Sequence, residues 1–200
     1  MSAPMAKGAA LHATLEYLDS RGDGMRARVL AALEDGERSQ VQSVAPTDEV
    51  PYGLLVSLWN AADAELRATA PAWMEEAGGF SITARGAQMY GGILRKNNPH
   101  EFLTQSVSLF QLFYHPGDMQ VVDEGVGRAV LRLDGFDAAT PLFCRRQTGG
   151  LTAALAIAGG DEPGVRHVRC ALEGDAFCEW ELTWKVPRAS GELAPSPRTA

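Results

Sequence analysis

The chain reads as an α+β protein: an N-terminal helical half packed on an antiparallel sheet built as strand-strand-helix-strand-strand. Three observations carry this reading. Apolar residues recur at helical spacing through the first half of the chain. Near residue 117 the period changes to alternation, and "MQVVDE" and "RAVLRLDGF" flank "GVG" as a hairpin. After one more helical stretch, "PLFCRRQTGGLTAALAIAGG", the chain closes on a second alternating pair, "VRHVRCAL" and "FCEWELTW". Helices first, then two hairpins around a helix, is the order of an antiparallel sheet covered by helices.

Each element has its own signal. Leu11, Leu15 and Leu18 set a helix over residues 8–21, which "RGDG" stops. Val29, Leu30 and Leu33 set a second over 25–33, ending at "EDGE", and "SVAPTDEVP" is a loop. Pro51 opens a stronger helix with Leu55, Leu58, Trp59, Ala62 and Leu66 as its buried stripe. The stretch from Pro71 predicts a helix broken at Gly78-Gly79 and resuming towards Leu94. Asn98 as cap, Pro99 in the first turn and Glu101 three residues on start the next helix. Its face is Leu103, Val107, Phe110 and Tyr114, and His115-Pro116-Gly117 ends it. In the first hairpin Leu131 and Leu133 share a face.

Composition narrows the function classes. The 200 residues suit a flexible start over 1–7, a single ligand-binding-like domain over 8–185 and a disordered tail over 186–200. Eighteen Lys+Arg against 25 Asp+Glu give a net charge of −7 without a basic block, which argues against nucleic acid. No stretch reaches the roughly 20 apolar residues of a membrane span. The N-terminus has no apolar signal core, and three cysteines point to a reducing cytoplasm rather than a disulfide scaffold. No Gly-x-Ser-x-Gly or phosphate-cradling glycine motif occurs, so a non-enzymatic role is expected.

The stretch "CALEGDAFCEWELTW" (170–184) is the distinctive one. Pointing both apolar sets at one core requires residues of equal parity to face each other. A three-residue loop at Gly174-Asp175-Ala176 then puts Cys170 opposite Trp180 and Leu172 opposite Cys178. Both thiols lie on the buried face, diagonal to one another and about 7–8 Å apart, too far for a disulfide. Cys-x7-Cys is not a zinc-knuckle spacing, and His167 falls on the opposite face from Cys170, so no metal is expected.

This closing hairpin, with "VLAALEDGERSQV" and "VPYGLLVSLWNAAD", resembles a family of stand-alone bacterial domains frequent in myxobacteria. That family is related to heme-NO-binding and vinyl-reductase-type ligand-binding domains, in the superfamily of the TRAPP scaffold subunits. The resemblance covers about residues 7–185 and implies a fold and a tendency to bind an apolar small molecule or a protein partner. It implies no reaction. In heme-NO-binding domains a His ends a Phe-Leu-x-x-x-x-x-Leu-His-like run; here Phe110 stands where that His would be. The Tyr-x-Ser-x-Arg that holds the heme carboxylates is absent from "LRLDG", and His115 lies further on beside Pro116. Heme is therefore disfavoured, and no cofactor is expected.

Aromatic supply suggests where a ligand would sit. Trp59, Tyr90, Phe110, Tyr114 and Cys144 can line an apolar space between helices and sheet, with Cys170, Cys178 and Trp180 on its floor. Phe113 lies off the main stripe and points to a homodimer contact. The expected function is a cytoplasmic sensor or adaptor domain in signalling, taking a small hydrophobic ligand, a protein partner, or both. The alternative is a dimeric, TRAPP-like interaction scaffold without a ligand.

Overall fold

The computed structural model describes residues 3–86 and 99–186. Its elements, in order, begin with β1 (Met5–Lys7), α1 (Gly8–Ser20), α2 (Met25–Ala31), α3 (Asp35–Ser43), β2 (Glu49–Pro51) and α4 (Tyr52–Leu66). Next come α5 (Trp73–Phe80), running into a π-helical segment at Ser81–Gly86, then α6 (Pro99–Phe113), β3 (Tyr114–His115), β4 (Asp118–Gly125) and β5 (Arg128–Asp134). The chain continues with α7 (Pro141–Ile157), β6 (Asp161–Arg169), a 3-10 turn at Ala171–Glu173 and β7 (Cys178–Lys185).

The α+β class and the strand-strand-helix-strand-strand order are both present. The main sheet is antiparallel, ordered β4-β5-β7-β6, so the two hairpins join through β5 and β7. Leu131 pairs with Trp180 and Leu133 with Cys178, which puts the apolar sets of β5 and β7 on one face. That face meets α7, which Thr140 caps by accepting from Leu142 N at 3.3 Å and which Pro141 starts. On α4, Leu55, Leu58, Trp59, Ala62 and Leu66 are all buried, as their spacing requires.

Three local expectations give way. Residues 5–7 of the expected flexible start form β1, the centre of a small sheet ordered β2-β1-β3, with Ala6 buried. Such a three-residue strand has too little alternation to be legible. Helix α3 was missed because it buries Val41 alone and therefore has no stripe. Gly78-Gly79 does not break α5. A Cβ at Gly78 would stand 2.1 Å from Arg146 O, and one at Gly149 would stand 1.9 Å from Glu75 O. These glycines let the backbones of α5 and α7 touch, so they mark a helix crossing. The resumed helix towards Leu94, the Asn98 cap and the tail beyond 186 lie outside the described residues.

Candidate metal centre

Four side chains, one from α7 and three from the β6-β7 hairpin, converge beneath α7. Cys144 comes from the second turn of α7, His167 from β6, Cys170 from the junction after β6, and Cys178 from the start of β7. Their ligand atoms all lie within 4.8 Å of one another, and the sulfurs of Cys144 and Cys178 are 3.9 Å apart. A tetrahedral zinc with Zn–S bonds of about 2.3 Å would set S···S edges of about 3.8 Å. The three cysteines are free and buried, and His167 is partly buried.

The hairpin register explains why the histidine joins them. His167 pairs with Trp180, not Cys170, and a bulge between His167 and Arg169 then shifts the pairing so that Arg169 faces Glu179. The bulge sets two residues against one, so Val168 turns outward, 43% exposed, while His167 and Cys170 come to the same side. The expected pairing of Cys170 with Trp180 and Leu172 with Cys178 is therefore wrong, and with it the geometry on which a metal was dismissed. The His167 ring stacks on Trp180 at 4.8 Å, and its Nε2 is buried without a hydrogen-bond partner.

The surroundings hold the cluster in place. Asp175 Oδ2 accepts from Cys170 N at 2.8 Å, and Gly174 takes the left-handed conformation that ends the 3-10 turn. Ala171 N donates to Cys178 Sγ at 3.5 Å. Trp180 Nε1 donates to Thr148 Oγ1, which donates in turn to Cys144 O, so strand and helix are tied beside the thiols. The Cys144 thiol, hydrogen-bonded to Cys178, is held well above its ordinary range, and Cys178 is held well below it, with His167 contributing. Burial raises Cys170. Three thiols, one of them eased towards its thiolate, and an imidazole make a site that a soft divalent cation would complete.

The expected pocket residues separate into two groups. Cys144, Cys170, Cys178 and Trp180 belong to the cluster. Trp59, Phe110 and Tyr114 belong to an aromatic interior with Tyr52, Phe136 and Phe143, where Phe136 and Phe143 lie 4.8 Å apart and Tyr114 and Phe143 5.5 Å apart. Tyr90 lies outside the described residues. His167, Tyr52, Phe136 and Arg146 were missed. Arg146 carries no motif, and the other three became visible only through pairing across the fold.

No family model and no curated protein matches the sequence. Solved structures do. An Fe(II) unliganded H-NOX protein from K. algicida superposes with a TM-score of 0.68 at 10% identity, covering 92% of this chain and 98% of that one. An H-NOX protein from S. oneidensis in the Fe(II)NO ligation state gives 0.64 at 14%, covering 90% and 99%. The chain has the H-NOX fold. A further match, from a study of heme distortion in the H-NOX family, gives 0.67 at 11% identity and covers 94% and 99%.

These matches overturn the expectation that the chain takes no cofactor, because two of the structures sharing its fold are named with Fe(II) and a third with heme. At the level of side chains, Phe110 packs among Tyr114, Phe136 and Phe143 at 5.5–6.5 Å between centroids. Among the described residues the imidazoles stand elsewhere. His12 Nε2 is 2.7 Å from Val44 O, His115 is 3.7 Å from Glu49, His100 meets Glu124, and His167 is in the cluster. A full donor set for one ion is instead supplied by α7 together with the β6-β7 hairpin. Among the described residues no helix is long and apolar enough to cross a membrane.

Proposed function

We propose that the chain is a ligand-responsive sensor domain of H-NOX fold in which Cys144, His167, Cys170 and Cys178 hold one zinc-class ion. The observation that carries the reading is the convergence of these four ligand atoms within 4.8 Å, with a buried His167 Nε2 left unpartnered. Three sulfurs and one imidazole are a common structural zinc set, and four protein ligands leave no open position for substrate. The centre is therefore regulatory or structural, and the role non-enzymatic. Bound, the ion would supply charge compensation for the thiolates. The chain's own part is to present Cys178 as thiolate, orient His167 against Trp180, and release protons from Cys144 and Cys170.

Metal would join the N-terminal part of α7 to the hairpin β6-β7, so a change at either end reaches the other. A cytoplasmic setting belongs to the same reading, because three cysteines are too few for a disulfide scaffold. Signalling partners, homodimerisation through the region of Phe113, and the kinship with myxobacterial domains belong to the same proposal. The test is metal analysis of the full chain purified with reductant, alongside an absorbance scan of the Soret region. One zinc per chain, lost in Cys178→Ser, supports the centre. A zinc-free protein that fails to take up added zinc would sink it, and a strong Soret band would identify heme as the resident group instead.

A further inference from the structure

Among the described residues one buried charge has no carboxylate to balance it. Arg146, on α7 two residues beyond Cys144, is 6% exposed, and its Nη1 is buried without a hydrogen-bond partner. Its neighbour Arg145 shows the ordinary solution, a pair with Glu75 at 2.6 Å. Among the described residues Arg146 has no such carboxylate. Asp137, close enough to influence Tyr52, accepts instead from Ala139 N at 3.0 Å. The face of Trp59 lies 5.7 Å from the guanidinium carbon, which offers a weak attraction and no hydrogen-bond acceptor. A guanidinium does not escape by losing its proton.

A second donor stands beside it. Tyr114 is buried, and burial raises its hydroxyl above the ordinary range although the charge of Arg146 and its hydrogen bond to the hydroxyl oppose this. It therefore stays protonated and can donate. A charged N–H and a phenolic O–H thus sit together, walled by Trp59 and Tyr52. Two donors with a fixed positive charge, in aromatic surroundings, match a carboxylate on an apolar body.

We propose that Arg146, with Tyr114, receives the carboxylate of an apolar organic acid. The inference gives the sensor reading a ligand class, and it stands on residues separate from the thiol cluster. An aliphatic acid and a tetrapyrrole acid share the necessary group, so both enter the test. The full chain, its zinc content measured in every sample, is titrated calorimetrically with laurate below its micellar concentration, with 1-dodecanol, with protoporphyrin IX and with inorganic phosphate.

Laurate or protoporphyrin should bind with saturation at one per chain, and laurate at least tenfold more tightly than dodecanol; whichever acid binds names the source. Arg146→Met should lose at least tenfold in affinity for that acid, leave dodecanol unchanged, keep its zinc content, and melt no lower than the parent. Should Arg146→Met fail to fold, Arg146→Lys keeps the charge but not the fork and should lose part of the affinity. Equal binding of laurate and dodecanol would overturn the proposal. So would phosphate as the sole ligand, undiminished binding by the variants, or no binding of either acid. Loss of zinc with acid binding intact would count against the metal centre alone.

Discussion

The aromatic interior and the thiol cluster share α7 and differ in what they leave undone. Around Phe143 the rings satisfy one another: Tyr52, Phe110, Tyr114 and Phe136 surround it at 4.8–6.5 Å, and the Tyr52 hydroxyl donates to Ala138 O at 2.8 Å. At the very next residue, Cys144 faces donor atoms that chiefly have each other, among them a buried ring nitrogen without a hydrogen-bond partner. Ring packing around Phe143 stabilises the fold whether or not a ligand is bound, whereas a set of converging soft donors is completed by something added. The same helix therefore separates a region that stabilises the fold by itself from one whose contribution depends on a ligand.

The sharpest division comes from Phe143, which is fully buried. Phe143→Ala should cost about 3–5 kcal/mol in denaturant unfolding. Zinc stoichiometry should stay at its parental value; a variant that loses metal in proportion to stability would merge the two regions into one cooperative unit. Chelation probes the other side. A metal present at about a thousand times its Kd stabilises by about 4 kcal/mol, which for a domain of this size lowers Tm by about 8–16 °C when the metal is stripped. Cys178→Ser should remove that chelator response; an equal response in the variant would show that the ion sits elsewhere.

Acidification gives a smaller, graded effect. Cys144 and Cys170 are raised and so hold protons at neutral pH in the metal-free protein. Binding must expel them, so zinc affinity weakens as pH falls, by about tenfold per unit for each proton released. A flat profile from pH 6 to 8 would mean that these thiols do not ligate. The smallest effect is expected at Arg145. Its pair with Glu75 bridges α7 to α5 at the surface, each side chain being about one-third exposed. Arg145→Ala should cost about 1 kcal/mol or less and leave both regions intact in a thermal melt and a metal assay.

The helices with a clean stripe were legible because burial imposes a period, and α1, α4 and α6 stand where that period placed them. The β-hairpins were legible for the same reason. What failed did so at particular residues. Gly78 and Gly149 carry a sequence cost as helix members, and nothing in the sequence says that two backbones meet there. Met5–Lys7 has meaning only beside β2 and β3. Most costly was the extra residue at Val168, because a period-two rule applied across a bulge inverts every side chain beyond it.

The sequence alone settled the α+β class, the order of the two hairpins around a helix and the burial of Cys170, Cys178 and Trp180, since local periodicity encodes which side of each element leaves water. Only the tertiary structure decided that Cys144 and His167 reach those two thiols, and that Arg146 is enclosed without a counter-charge. Those facts depend on pairing register and helix placement between residues far apart in the chain, which no local pattern records.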